Sequence, residues 1–379
     1  MTKKVAIIYH TYLDDAGEKV HVGGIETYIY NLLPVLREAG YDPLIVQAAD
    51  ESWIRTFDGC AVYAVKRGKS VKVTRRKLYD LSASLIHPIN DLIIFAADHV
   101  SVRQTTHNSL SIQHGISWDL PDPENISGYF SFLRNKLKRL IEARRALRDF
   151  ENCQKRVCVD YNFSNWYNAH PFANKRGKIW VVPNFASVNI RSKYVRSDSS
   201  TSIIFARRFV SYRGTKAVVA ASEILLRNVP NLRITFAGEG PDERWMRRRL
   251  GNDSRVEFLT YTASQSADVH SRHDIAVVPS LGSEGTSLSV LEAMSAECAV
   301  IAAPVGGITN IILDGYNGIY ASPDAVGIVD AVMRLLGDHD LFVKITKNAR
   351  NTVTDAFSHE IWKQNWLTIL NEIEYQHEV

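Results

Sequence analysis

Two glutamates, Glu284 and Glu292, stand with seven residues between them in the segment PSLGSEGTSLSVLEAMSAECAVIAAPVGG, Pro279 to Gly307. A short apolar run, Asp274 to Pro279, precedes them and reads as a buried parallel strand. Gly285-Thr286-Ser287-Leu288 lies between them as a turn that opens a helix, and Ala299-Val300-Ile301-Ala302 follows as a second buried strand. One carboxylate therefore belongs to a strand-to-helix loop and the other to the helix. The first N–H groups of a helix lack intrahelical partners and carry partial positive charge, which suits an anion. The layout fits a ligand with phosphate in the middle and hydroxyl-bearing groups on both sides, as in a nucleotide-sugar. The spacing alone also fits a solvated helix glutamate. The neighbours Leu288, Val290, Leu291, Ala293 and Met294 instead place Glu292 on a largely buried helix, where a carboxylate needs a partner.

Three further stretches suit a diphosphate. Arg208 follows the apolar run Ile203 to Ala206, and Arg213-Gly214 comes five residues later. Two cations beyond a strand end can meet the charge that develops on a departing diphosphate. Ala237-Gly238-Glu239-Gly240-Pro241 closes a strand with glycines that let backbone approach a ligand. It lacks the third glycine of a dinucleotide fingerprint, which disfavours a nicotinamide dehydrogenase. Gly23-Gly24 precedes a helix, as a plain turn or as a loop that closes over phosphates or sugar. Asp14-Asp15 falls in a loop after the first strand, and we read the pair as surface residues.

These residues need a scaffold of alternating strands and helices. Apolar runs at Val5–Tyr9, Leu44–Val46, Ala61–Val65, Asp91–Phe95, Ser109–Gln113, Lys155–Val159 and Lys178–Val182 read as strands. A helix over Ile25–Ala39 and a long one over Tyr129–Glu151 lie among them. Asn184 to Ser202 is polar and serine-rich, as in a linker. A second series then runs through Ser202–Ala206, Leu232–Gly238, Val256–Leu259 and the strands around Glu284. The tail, His359 to Ile373, has helical spacing of Ile361, Trp362, Trp366, Leu367 and Leu370. Such alternation predicts an α/β chain of two domains with mostly parallel sheets, whose ligands bind where strands end. We place the domains at residues 1–190 and 191–357, with a final helix over 358–379 that returns to the first.

Composition agrees with this class. The 379 residues are 45% hydrophobic and 23% charged, ordinary for a globular protein. The four cysteines, Cys60, Cys153, Cys158 and Cys298, are scattered without zinc-site spacing. No apolar run reaches membrane-spanning length, and the N-terminal run is too short for a signal peptide. A reduced, cytoplasmic protein is expected. The net charge is only +4, but basic residues cluster in the run Lys66 to Lys77, KRGKSVKVTRRK, and across Phe132 to Arg148. In the second cluster, leucines recur at helical spacing between the cations. Such a helix either lies on an anionic membrane or packs on its own domain. Nucleic acid is not expected, because no recognition motif or aromatic platform accompanies the charge.

Taken together, Glu284-Gly285 with Leu291-Glu292-Ala293-Met294, Arg208, Arg213-Gly214, Val182-Pro183-Asn184 and Asp314-Gly315-Tyr316-Asn317-Gly318 resemble the motifs of glycosyltransferase family 4. Members are retaining transferases of GT-B fold, two Rossmann-like domains whose parallel sheets face each other across a cleft. The resemblance covers nearly the whole chain and is strongest in its second half. Arg213 replaces the family's lysine, which keeps the charge and changes its reach. Thr286-Ser287 replaces the usual Phe-Gly. The resemblance implies that Glu284 contacts hydroxyls of the donor sugar and Glu292 holds the ribose diol. Arg208 and Arg213, with N–H groups of Gly285, Thr286, Ser287 and Leu288, would meet the diphosphate. Gly238 would lie near the nucleoside, Gly23 and Gly24 would close over the donor, and His114 would touch its sugar.

The implied enzyme is a metal-independent, hexosyl-type retaining transferase with no cofactor. Its donor is a UDP-, GDP- or dTDP-sugar, and its acceptor a glycan or lipid-linked oligosaccharide. Cell-surface polysaccharide such as O-antigen or capsule is the expected product, made at the inner face of the plasma membrane. A nucleotide-sugar epimerase of the same fold, and a non-catalytic binding subunit, are the alternatives. The paired glutamates and the two arginines speak against the latter.

Overall fold

In a computed structural model, the structure describes residues 2–21, 23–120, 129–188, 200–282 and 284–378. Val22 of the first glycine turn, Ser283 beside Glu284 and residues 189–199 of the expected linker lie outside these.

The chain divides into two compact units. The first contains β1 (Lys3–Ile8), α1 (Gly24–Glu38), β2 (Tyr41–Ala49), β3 (Trp53–Phe57), β4 (Cys60–Lys66) and α2 (Val71–Leu85). It continues with β5 (Leu92–Phe95), β6 (Ser109–Gln113), α3 (Tyr129–Phe150), β7 (Lys155–Cys158), α4 (Tyr161–Ala169) and β8 (Lys178–Val181). The sheet order is β3-β4-β2-β1-β5-β6-β7-β8. All neighbours are parallel except β3 and β4. The order reverses at β1 and β5, a switch point where α/β sheets open a crevice beyond their strand ends.

The second unit contains β9 (Thr201–Ala206), α5 (Thr215–Asn228), β10 (Leu232–Ala237), α6 (Glu243–Leu250), β11 (Val256–Leu259) and α7 (Ser266–Ser271). It continues with β12 (Ile275–Val278), α8 (Leu288–Ser295), β13 (Ala299–Ala302), β14 (Ile319–Tyr320), α9 (Ala325–Gly337), α10 (His339–Ala356) and the start of α11 (His359–Glu378). Its sheet is wholly parallel in the order β11-β10-β9-β12-β13-β14, and it switches between β9 and β12. Both faces are covered. Ile203 and Phe205 pack toward α5 and α9, while Ile204, Ala276 and Val300 pack toward Val290 and Met294 of α8.

Two assignments differ from the sequence boundaries. Residues 115–120 group with the second unit although β6 before them and α3 further on belong to the first. The last helix is shared: His359–Trp362 belong to the second unit, and Lys363 onward to the first. There Trp366, fully buried, donates Nε1–H to the Tyr28 hydroxyl at 2.8 Å, and Glu374 pairs with Lys3 at 2.9 Å. The strand β3 has no clear apolar run to announce it. It is an exposed antiparallel edge, where packing does not demand hydrophobic residues.

Candidate functional site

The second sheet's switch point sets the site. Arg207 follows β9, Glu284 follows β12, and the two strands are neighbours. Three donors converge on Glu284 Oε1: Arg207 Nη2 at 2.5 Å, Arg213 Nη1 and Ser280 Oγ. Glu284, Arg207 and Ser280 are buried, whereas Arg213 keeps about a fifth of its side chain exposed, 21%. Burial alone raises the Glu284 carboxyl, but Arg207, Arg213 and the Ser280 hydroxyl outweigh it and hold the pKa below its ordinary value. Burial works the other way on Arg207, lowering its pKa despite Glu284. Two guanidiniums thus share one carboxylate in a largely dry place. Nε and Nη1 of Arg207 are buried without partners. Unmade bonds of a buried cation are costly, so these N–H groups await an acceptor.

The structure separates the two adjacent arginines. Arg208 is exposed and makes none of these contacts, and its neighbour Arg207 carries them. Both follow Ala206, so the apolar run does not distinguish them. Arg207 is instead held one step further along the ladder, its N–H donating to Ala237 O at 2.9 Å. Gly238 explains how the backbone fits there. It has φ of 144°, and a Cβ on it would come within 2.1 Å of Arg207 O. Gly238 thus serves the arginine's backbone.

The loop after Glu284 is braced on several sides. Gly307 N–H donates to Glu284 O at 2.9 Å, and Asn184 Nδ2–H donates to Thr286 O at 2.7 Å. Gly115 has φ of 105°, and a Cβ there would lie 2.8 Å from the Gly285 backbone. No local sequence signal marks this Gly115 contact, because it joins segments distant in the chain. Ser287 caps α8 without a side-chain hydrogen bond, and its hydroxyl is buried without a partner. The helix therefore presents bare N–H groups at Leu288 and beyond, beside Gly285, Thr286 and Arg207.

Glu292 lies on the next turn of α8. The residue is half-buried, and burial pushes its carboxyl up to about 7 against the pull of Ser266 and Arg207. Tyr261 lies close enough that Glu292, after burial, raises the phenol's pKa. Ser266 and Tyr261 were not marked by the sequence, since neither type nor spacing sets them apart. The sign of the pH effect follows. A carboxyl with a raised pKa holds its proton in the folded state from the ordinary 4.5 up to about 7, and loses that stabilisation as pH rises through 7. His114 acts in the opposite sense, so the Glu292 share must be read as a difference. The melting temperature of the wild type is expected to fall relative to Glu292→Gln between about pH 5 and pH 8. Parallel pH curves would show that this carboxyl ionises as usual.

The remaining expected residues lie in the first unit. Gly23 caps α1 and Gly24 opens it, with no side-chain cap. His114 follows β6, and its Nε2 meets Ala96 O at 2.7 Å. A carbonyl only accepts, so Nε2 carries the proton and Nδ1 is left as an acceptor. Burial lowers the imidazole to about 4, keeping it neutral at neutral pH. The Tyr28 ring stands edge-on to it at 5.4 Å. Among the described residues, no group of three or more His, Cys, Asp or Glu is placed to hold a metal ion.

Two parallel-sheet units, with an arginine-carboxylate centre at the switch point of the second, define a chain of the GT-B glycosyltransferase fold. Residues 200–338 match the family model described as Glycosyl transferases group 1, so the chain carries a group 1 domain there. Among solved structures, sucrose-phosphate synthase from Thermosynechococcus elongatus superposes with TM-score 0.78 at 18% identity, covering 99% of this chain and 100% of that one. Anabaena Alr3699/HepE in complex with UDP and glucose gives TM-score 0.70 at 16% identity, over 97% and 99% of the two chains. D-inositol 3-phosphate glycosyltransferase of Corynebacterium glutamicum (strain R) is 30% identical over 160 residues, 39% of this chain and 38% of that protein. The chain's match covers less than half the length of such curated relatives.

Proposed function

We propose that the protein is a retaining, hexosyl-type glycosyltransferase that moves a sugar from a nucleoside-diphosphate sugar to a hydroxyl of a glycan or lipid-linked oligosaccharide. The observation that carries this reading is the buried Arg207, two of whose nitrogens lack partners, beside the uncapped start of α8. A diphosphate would occupy both. The likeness to a structure holding UDP and glucose supports a nucleotide-sugar donor. In the proposed reaction the bond from the sugar carbon to the diphosphate oxygen breaks, and the diphosphate keeps the electron pair. The acceptor hydroxyl attacks from the face being vacated, and its proton passes to the leaving phosphate. The sugar carries oxocarbenium character in between. Arg207, Arg213 and the α8 N–H groups take the developing charge. Glu284 orients the arginines and meets sugar hydroxyls, Glu292 takes the ribose diol, and His114 accepts from a sugar hydroxyl through Nδ1.

A thermal-shift screen of UDP-, GDP- and dTDP-sugars with EDTA present tests the donor and the metal independence together. The true donor at about 100 times its Kd should stabilise the protein by about 2.7 kcal/mol. No shift with any of them, or a shift only when EDTA is omitted, would overturn the respective part. An epimerase would consume the donor without any acceptor, so product analysis in the absence of acceptor separates the two readings.

The proposed acceptor is membrane-borne, in cell-surface polysaccharide synthesis. Leu133, Leu137, Leu140 and Ile141 share one stripe of α3 and are 43%, 58%, 65% and 43% exposed. Lys136, Lys138, Arg139 and Arg144 surround them. An exposed apolar stripe with flanking cations suits the surface of an anionic bilayer. No helix among the described residues is long and apolar enough to cross a membrane. In flotation assays the protein should rise with anionic vesicles and not with neutral ones, and Leu137→Glu with Leu140→Glu should abolish it. Equal recovery of variant and wild type would remove the stripe from the contact.

A further inference from the structure

We propose that the first unit holds a second anion site, at the switch point of its own sheet, which takes a phosphate or similarly compact anion carried by the acceptor. This rests on the transferase reading above. His10 follows β1 and His99 follows β5, the two strands where the sheet order reverses. Their ring centroids lie 5.3 Å apart, with the planes tilted by 30°. Among the described residues neither imidazole has a hydrogen-bonding partner. The basic run Lys66 to Lys77 supplies the surroundings, and the donor reading leaves that run without a role.

Arg75, in the second turn of α2, donates Nη1–H to Asp149 at 3.1 Å, but its Nε is buried without a partner. Arg67, just past β4, pairs with Asp15 at 2.9 Å and also with Asp50. Burial first, then Arg75 and Arg67, lowers the His10 pKa; His99 is shifted the same way, by desolvation first and then by His10, Arg75 and His114.

The carboxylates nearby are already committed. Asp15 and Asp50 serve Arg67, and Asp149 serves Arg75 and Arg148. Asp98 precedes His99, accepts its backbone N–H at 2.8 Å, and is pushed up to about 7 by burial, so it is about half protonated at neutral pH. Glu26 of α1 folds over Gly23 and acts on Tyr9. The pair of open imidazoles therefore faces cations from α2 and from the loop after β4, with no free carboxylate to balance them. Such a place repels metal cations and attracts an anion, which would draw a proton onto His10 or His99 as it bound.

Histidine NMR of the full chain tests this. Inorganic phosphate is titrated at constant ionic strength, with saturating nucleoside diphosphate present to fill the other site. The His10 and His99 ring signals should move together, with affinity roughly tenfold higher near pH 6 than near pH 8. The exposed His99→Gln variant should weaken phosphate at least tenfold, as should Arg75→Gln, while Lys72→Ala leaves it unchanged. Dodecyl phosphate is run beside inorganic phosphate. A tenfold gain for the alkyl ester assigns the anion to a lipid phosphate, and equal affinity assigns it to a soluble one. Unmoved histidine signals, or phosphate affinity indifferent to both variants, would overturn the inference. Calorimetry of the nucleoside diphosphate on the same samples keeps the two readings apart, since loss there sinks the donor reading alone.

Discussion

Replacing Glu284 by glutamine is expected to reduce sugar transfer about a hundredfold or more and to lower the melting temperature at the same time. The first effect has the size of losing one preorganised electrostatic contact in a water-poor site. The second follows from charge. Glu284 is the shared counter-ion of Arg207 and Arg213, and an amide leaves a buried guanidinium uncompensated. Removing one partner of a buried ion pair destabilises by about 3–5 kcal/mol, and Arg213's partial exposure places this case near the lower end. Residue type alone suggests a variant that keeps its stability, but the convergence of three donors on Oε1 couples fold and activity. Adding Arg207→Met removes the stranded charge, so the double variant should regain much of the melting temperature and none of the transfer. Calorimetric melting and initial rates on the same preparations decide it. A single variant with near-native turnover would take Glu284 out of the chemistry.

The adjacent arginines should behave oppositely. Arg207→Ala is expected to weaken nucleoside diphosphate binding by about 2–5 kcal/mol, at least thirtyfold, because it removes a buried hydrogen-bonded charge. It also leaves Glu284 with Arg213 and Ser280 only, so its pKa should rise. Arg208→Ala changes an exposed side chain away from the ion pair and should stay within about 0.5 kcal/mol of wild type in stability. Titration calorimetry with UDP and GDP gives the binding losses of both variants, and thermal melting gives their stabilities. Equal losses from the two variants would mean that Arg208 also reaches the ligand.

Much of this was legible before the structure because buried parallel strands are continuous apolar runs. β5, β6, β12 and β13 announce themselves that way. The glutamate spacing placed one carboxylate on the loop and one on α8 for the same reason: the strand and the helix start are both apolar, and both fix the register. Where no apolar face constrains the chain, the reading fails. Arg207 and Arg208 are alike in type and position, and only the last ladder bond to Ala237 separates them. β3 lies on a solvated edge, and α2 hid within a basic run because its buried positions are few, Thr74, Leu78, Tyr79 and Ser82. Contacts between distant segments, such as Gly115 against Gly285 or Ser266 near Glu292, have no local signature at all.

The division of the last helix bears on how the protein is made. Domains usually fold in the order in which they leave the ribosome. Here the first unit lacks Trp366, which hydrogen-bonds Tyr28, and Glu374, which pairs with Lys3, until the whole second unit has been made. The second unit has its loop from Gly115 early and needs nothing beyond Trp362. The N-terminal half is therefore the last to be completed. A chain cut short just after Trp362 would carry a finished second unit joined to an unfinished first one.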